Sequence, residues 1–450
     1  MFALRDRFLE TAWTQFAVCY WQFVIPTQWG SRKVWLHRSV GARYLDYLET
    51  SKGVTNVPFF DLRRQYLPLR EDILSEIAAL CDQQNFILGA QVEELEQKIA
   101  ALAGTAYGIG TSSGTDAQLM TLMSLGIGPG DAVLTTPFTF FSTAGCISRV
   151  GATPIFIDID PDTFALSPER LEEFLVKRCV STSTGVKTSD GKRVCAVVPV
   201  HLFGLCGDMH SIMQLAARWN LPVIEDAAQA IGAKFSSPDG VLSAGGVGLA
   251  GFFSFYPTKN LGAFGDAGMV VTNDSRLAEK LRIIRNHGME PKYYHRQIGG
   301  NFRLDALQAA VLLKKLPHLR AWSHRRWGIA QKYREALADL SPDLLLPVEP
   351  YRATCGPSGH IFHQFVIRTK HRNALRAKLQ ETGIGTEIYY PLALHQQDCF
   401  RHLGYRKGEF PGAECAAEEC LALPIFPELT QEEIDLVTGA IHTFFEKRHV

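Results

Sequence analysis

The sequence predicts an α/β fold: a mostly parallel sheet sandwiched by helices in a large domain, followed by a smaller α/β domain at the C-terminus. Three observations predict it. After Gly104, short apolar runs ("DAVLTT", "TPIFIDI", "VCAVVPV", "LPVIEDA", "GMVVTND") alternate with helical stretches such as "SIMQLAARWN", the rhythm of a parallel sheet covered on both faces. The chain has 450 residues and is 46% hydrophobic, enough for a large core and a satellite. Beyond the helical run "LDALQAAVLLKKL", Pro317 and a cluster of arginines and tryptophans lead into new strand-like pieces, so a second domain is expected from residue 318.

Taken in order, residues 1–53 hold Trp13, Trp21, Trp29 and Trp35 without a helical or alternating period, and read as an extension of unknown order. Residues 54–317 form the large domain. It opens with Ile73, Leu74, Ile77 and Leu80, then Val92, Leu95, Ile99 and Leu102, at helical spacing. Two amphipathic helices separated by "NFILGA" follow from that period. The segment "KRCVSTSTGVKTSDGKR", with five basic residues and one acidic, interrupts the rhythm as an exposed loop or hairpin. Residues 318–450 form the small domain, with "HQFVIRT" and "GTEIYYP" as strands and a last helix carrying Ile434, Val437, Ile441 and Phe444.

Charge excludes some roles. Lysine plus arginine equal aspartate plus glutamate at 46 each, so no net field draws the protein to nucleic acid or an anionic membrane, and anion recognition must be local. The ten cysteines form no C-x-x-C pair, which suits reduced thiols in a cytoplasmic protein and no metal site. The run "FAVCYWQFVIP" is too short to span a bilayer.

The chemistry starts at Lys259, inside the turn of "GFFSFYPTKNLGAFGDAGMVVTND". A lysine amine attacks an aldehyde once its surroundings lower its pKa, although most lysines in such turns face solvent. In "LPVIEDAAQAIGA" an apolar strand runs into Glu225 and Asp226, at the strand end where open sheets place ligands. A buried carboxylate there needs a cation, which a protonated pyridine nitrogen would supply; alternatively the acid caps a helix "AAQAIGA". In "GTSSGTDAQLMTLMSLG" the free N–H groups of a helix start, with the Thr115 hydroxyl, make a phosphate cup. Ser254 offers a second hydroxyl. A cup, a strand-end carboxylate and a lysine, in that order, are what pyridoxal 5'-phosphate requires.

The combination "SSGTDA", "PVIEDAAQ", "FSFYPTKNLGAFGDAG" and "GGNFRLDALQAAVL" resembles the DegT/StrS family of fold-type I aminotransferases over about residues 57–450. The extension and the basic insert lie outside the usual family pattern. The resemblance implies that Lys259 carries the cofactor, Asp226 pairs with its pyridine nitrogen, and Gln229, one helical turn on, contacts its ring oxygen. It makes Gly114, Thr115 and Ser254 phosphate ligands and Phe140 the ring that stacks on the pyridine face, where an ordinary core phenylalanine is the alternative. Asn301 matches a residue that reaches the neighbouring subunit's cofactor, implying a homodimer with shared active sites. Arg303 matches a position near the substrate, where a guanidinium meets a carboxylate or diphosphate. Tyr389 and Tyr390 match the approach to the sugar, unless they are an aromatic pair packed on the small domain.

The implied reaction moves an amino group from L-glutamate to a keto group of a nucleotide-linked sugar, for amino-sugar biosynthesis. The stretch "RNHGMEPKYYHRQIGGNFRLD" looks closer to enzymes of 3-keto than of 4-keto sugars. Similar proteins aminate cyclitol ketones or build aminohydroxybenzoate, and a non-catalytic regulatory protein that binds the cofactor is a rival of another class. Members with histidine at the lysine position act as dehydratases, and Lys259 argues against that activity here.

Overall fold

The computed structural model describes residues 56–183, 185–238 and 240–448, with the backbone of an antiparallel hairpin, Trp21–Ile25 against Arg32–Leu36. Apart from that hairpin, the expected extension 1–53 lies outside the described residues. Residues 56–450 form one compact unit, and the boundary expected at residue 318 falls within it.

Helices α1 (Arg70–Gln83) and α2 (Ala90–Ala103) match the two expected helices. Ile73 and Leu80 of α1 are buried, as are Val92, Leu95 and Ile99 of α2, whereas Leu74 stays exposed. Then come β1 (Tyr107–Thr111), α3 (Gly114–Ser124), β2 (Asp131–Thr135), α4 (Ser142–Arg149), β3 (Thr153–Phe156) and α5 (Pro168–Arg178). The basic insert is a hairpin, β4 (Cys179–Thr182) and β5 (Gly185–Thr188), that joins β6 (Arg193–Val198) at one antiparallel pair. After it lie α6 (Met209–Arg218), β7 (Ile224–Asp226), a small hairpin of β8 (Lys234–Ser237) and β9 (Gly240–Ser243), then β10 (Ala250–Ser254), β11 (Gly268–Thr272), α7 (Ser275–Arg285) and α8 (Ala306–Lys315).

The main sheet runs β1-β11-β10-β7 and continues through the parallel bridges Val197↔Val223 and Val200↔Asp226 into β6-β2-β3. Only β11 runs antiparallel to its neighbours within that order. Alternation along the strands feeds both faces. Val133 packs in the core with α3, α4 and α7, and Ala132 and Leu134 pack in the opposite core with α2, α5, α6 and α8. Strands buried on both sides read as continuous apolar runs, which is why they were legible.

Beyond α8, α9 (Leu319–Ala336), β12 (Phe365–Arg368), α10 (Arg372–Glu381), α11 (Pro411–Glu419), β13 (Cys420–Leu423) and α12 (Gln431–Glu446) complete the unit. A separate core gathers Tyr333, Phe365, Ile367, Leu375, Leu421 and one face of α12. That face is Ile434, Val437, Ile441 and Phe445, each contributing about 1.5–3 kcal/mol by burial. Phe445, rather than the expected Phe444, is the buried one. A capping box of Thr430 and Glu433 starts the helix.

Two expectations fail. "GTEIYYP" is not a strand, because it makes only the isolated bridge Glu387↔Ala422, with Val57↔Ile384 just before it; the partner of β12 is β13. "AAQAIGA" is not a helix: Ala230 N–H bonds the Ala227 carbonyl and Ala233 N–H the Ala230 carbonyl, each at 2.9 Å, and Gly232 turns at φ +83°. Gln229 therefore follows Asp226 through turns, not along a helical face. No helix among the described residues is long and apolar enough to cross a membrane.

Candidate active site

Successive residues of a strand point to opposite faces, and the last two residues of β7 use this. Glu225 is fully buried and serves the scaffold. Its Oε1 accepts from Val247 N–H and Gly248 N–H, each at 2.7 Å, and its Oε2 accepts from Gly245 N–H at 2.9 Å and from His201 Nε2 at 2.9 Å. Gly207 N–H donates to His201 Nδ1 at 3.3 Å, which assigns the imidazole proton to Nε2. Asp226 takes the other side. Its Oδ2 accepts from the Thr143 hydroxyl at 2.8 Å and its Oδ1 from Ala228 N–H at 3.2 Å. Burial raises the Asp226 pKa, opposed by these two donors and by the charge of Lys259. Among the described residues no cationic side chain hydrogen-bonds it.

Lys259 sits in the turn after β10, its N–H on the Tyr256 carbonyl at 2.8 Å. Burial lowers its amine from 10.5 to about 8, with the Asp226 charge opposing. A good part of the amine is thus neutral near pH 8. Beyond it, Asn260 Oδ1 accepts from His363 Nδ1 at 3.0 Å and Asn260 Nδ2 donates to the Ile361 carbonyl at 3.2 Å, tying the turn to the loop before β12.

The stretch expected to form a phosphate cup is the start of α3. Ser113 caps it, accepting Asp116 N–H at 3.0 Å, so the N–H groups of Gly114 and Thr115 stay without a helical partner. A Cβ on Gly114 would lie 2.7 Å from Ser254 Cβ and 3.2 Å from Ser254 Cα. Glycine is what lets the helix start close onto the end of β10.

Gln229 is gripped at both ends: its Oε1 accepts Phe203 N–H at 2.7 Å and its Nε2 donates to the Tyr390 hydroxyl at 3.2 Å. Phe203 adopts φ +59° to deliver that N–H. Phe140 is 55% exposed, not a core residue, with its ring centroid 6.2 Å from that of Tyr390. Tyr389 packs edge-on against Tyr390 at 5.7 Å and near Phe59 at 6.1 Å.

Asn301 and Arg303 sit to one side. Asn301 is exposed and its backbone bridges Asn286; Arg303 Nη1 bonds Asn286 Oδ1 at 2.7 Å. Arg303 lines a cavity of about 310 Å³ with Ser112, Ser113, Asp116, Asp266, Asp305 and Gln308, beside the cup. The structure thus brings Lys259, Asp226, Gly114, Ser254, Gln229, Phe140 and Tyr390 together, and leaves Asn301 facing outward. Sequence reasoning missed Thr143, His201 and the Phe203 N–H. The available signal for His201 and Phe203 was "PVHLFG", which follows the end of β6.

These residues fit pyridoxal phosphate: a cradle that a Cβ would fill, a buried carboxylate without a cationic hydrogen-bond partner, and an amine of lowered pKa. Such a set defines a pyridoxal phosphate class of site, and the comparisons name the class of enzyme. Residues 68–442 match the DegT/DnrJ/EryC1/StrS aminotransferase family. The pleiotropic regulatory protein of Geobacillus stearothermophilus is 45% identical over 390 residues, covering 87% of this chain and 99% of its own. The UDP-N-acetyl-3-dehydro-alpha-D-glucosamine 3-aminotransferase of Acidithiobacillus ferrooxidans is 44% identical over 387 residues, covering 86% and 97%. Among solved structures, DesV of S. venezuelae in complex with a ketimine intermediate aligns with a TM-score of 0.79 at 38% identity, covering 87% and 99%. NtdA of Bacillus subtilis with bound cofactor PMP aligns with a TM-score of 0.77 at 30% identity, covering 88% and 86%. This chain belongs to the DegT/DnrJ/EryC1/StrS family of pyridoxal phosphate-dependent aminotransferases.

Proposed function

We propose that this aminotransferase moves an amino group from L-glutamate to the 3-keto group of a nucleotide-linked sugar, with Lys259 and Asp226 as its catalytic residues and a homodimer as its working form. The observation that carries the reading is the buried Asp226 carboxylate beside an amine lowered to about 8. The relative from Acidithiobacillus ferrooxidans, named for a 3-dehydro sugar nucleotide, supports the choice of substrate.

In this reading Gly114 and Thr115 N–H and the Ser254 hydroxyl hold the cofactor's phosphate, Asp226 its ring nitrogen, Gln229 its ring oxygen and Phe140 its face. When bound, pyridoxal phosphate supplies an aldehyde that captures amines and a ring that takes up the electron pair of a broken C–H bond. Asp226 keeps the ring nitrogen protonated, and Thr143 and Ala228 N–H fix the direction of its carboxylate. Lys259 Nζ removes the proton from the donor's alpha carbon and later returns one to the sugar carbon, acting as base and then as acid. A pKa of about 8 leaves both forms of that amine available near neutral pH. Arg303 and Tyr389 face the sugar nucleotide, and Asn301 reaches the second subunit's site.

The test is turnover with L-glutamate and nucleotide-linked 3-keto or 4-keto sugars, read as release of 2-oxoglutarate. Turnover on the 3-keto sugar is expected. Turnover only on a cyclitol ketone, or none on any ketone, contradicts the reading. The relative named as a regulatory protein gives a non-catalytic reading some standing, and the absence of any glutamate-dependent change in a loaded protein would favour it.

A further inference from the structure

The resemblance expects Tyr390 at the sugar, but its hydroxyl meets a residue assigned to the cofactor. Phe203 N–H on Gln229 Oε1 at 2.7 Å settles which way the carboxamide points, so Nε2 is the end that meets Tyr390, at 3.2 Å. The Tyr390 oxygen accepts there. Its own O–H has no acceptor among the described residues, and burial with the Asp226 charge raises the phenol well above its ordinary value of 10.0, so the proton stays on. The Tyr390 ring lies 6.2 Å from Phe140 and 6.2 Å, edge-on, from Phe138. The aromatic pair expected to be free for sugar is thus half committed to the cofactor's side. Phe138 is fully buried, which anchors that ring from behind.

We infer that Tyr390 is a positioning and donor residue for the cofactor: its O–H and the second N–H of Gln229 form a paired donor to the ring oxygen of bound pyridoxal phosphate. This rests on the proposed placement of the cofactor against Asp226 and Lys259. A pair of donors spreads the negative charge on that oxygen. The proton whose loss changes the cofactor's visible band is held by that same charge, so two donors loosen it and one fewer tightens it.

The experiment is a pH titration of the visible band in reconstituted wild-type protein and Tyr390→Phe, with the apo forms melted in parallel. The expected result is a midpoint raised by about one unit in Tyr390→Phe, the worth of one hydrogen bond to a charged oxygen, with an unchanged apo melting temperature. An unmoved midpoint overturns the inference, and an accompanying rise in KM for the nucleotide sugar returns Tyr390 to the substrate side. If Tyr390→Phe does not fold, Gln229→Leu reads the pair from its other member; the midpoint must rise there too, and an unmoved one overturns the inference. A wild-type protein without any visible band after reconstitution sinks the pyridoxal reading itself, a different result from a titratable band that Tyr390→Phe leaves in place.

Discussion

Replacing Asp226 by asparagine separates holding the fold from holding the cofactor. In the protein without cofactor the Asp226 carboxylate is buried, and its pKa is raised chiefly by that burial. Asparagine removes the cost of burying a charge and keeps the local bonds. Its oxygen accepts Ala228 N–H in place of Oδ1, and its amide donates to Thr143, whose hydroxyl turns to Thr139 Oγ1, 3.2 Å away. The apo melting temperature is therefore expected to hold or rise. The pH dependence has a definite sign. A carboxyl whose folded pKa is raised adds stability below the ordinary carboxylate range and loses it as pH rises through the raised value. Wild-type apo protein should lose stability with rising pH in that window, and Asp226→Asn should lose less. With cofactor, the variant forfeits a charged hydrogen bond worth about 1.5–3 kcal/mol, or about 10- to 150-fold in Kd. Titration of apo protein with pyridoxal phosphate, followed by visible absorbance, measures it. An asparagine variant that binds as tightly as wild type, or whose apo form melts several degrees lower, refutes the reasoning.

Capture of pyridoxal phosphate by apo protein should speed up with pH and level off with a midpoint of about 8, set by the Lys259 amine; stopped-flow absorbance reads it, and the ordinary lysine midpoint contradicts the assignment. Gly114→Ala forces a methyl to 2.7 Å from Ser254 Cβ, costing about 1–3 kcal/mol of overpacking. Calorimetric titration should find weakened cofactor binding, and unchanged affinity would remove Gly114 from the cup. Glu225→Gln leaves one acceptor oxygen for three backbone N–H groups and His201; with two buried donors orphaned, denaturant titration should show about 2–6 kcal/mol of lost stability, and an unmoved midpoint would contradict the pinning role.

What could be read from sequence follows the physics of each segment. Five strands of the main sheet announce themselves because both faces are buried, while β1 ("YGIGT") and β10 ("AGFFS"), diluted by glycine, do not; α1 and α2 are legible because one face is buried. β13 escaped notice: "CLAL" is four buried residues with no alternation and no turn before it. "GTEIYYP" has strand-like composition, yet Gly385 N–H is taken by the Val57 carbonyl at 2.8 Å and the tyrosines pack on other rings, so no ladder forms. Asp226 and Lys259 stand out in the sequence because the chemistry proposed for them is carried by residue type and order. Thr143 and the Phe203 N–H were not, because a hydroxyl in "FSTAG" and a backbone amide at φ +59° acquire meaning only when the fold brings them to Asp226 and Gln229.

The most direct test of the central claim, that Lys259 and Asp226 work a pyridoxal phosphate, is the visible spectrum of the reconstituted protein before and after L-glutamate. The account predicts a yellow band that glutamate bleaches, and a Lys259→Ala variant in which no turnover follows. A protein that binds no chromophore after reconstitution contradicts it.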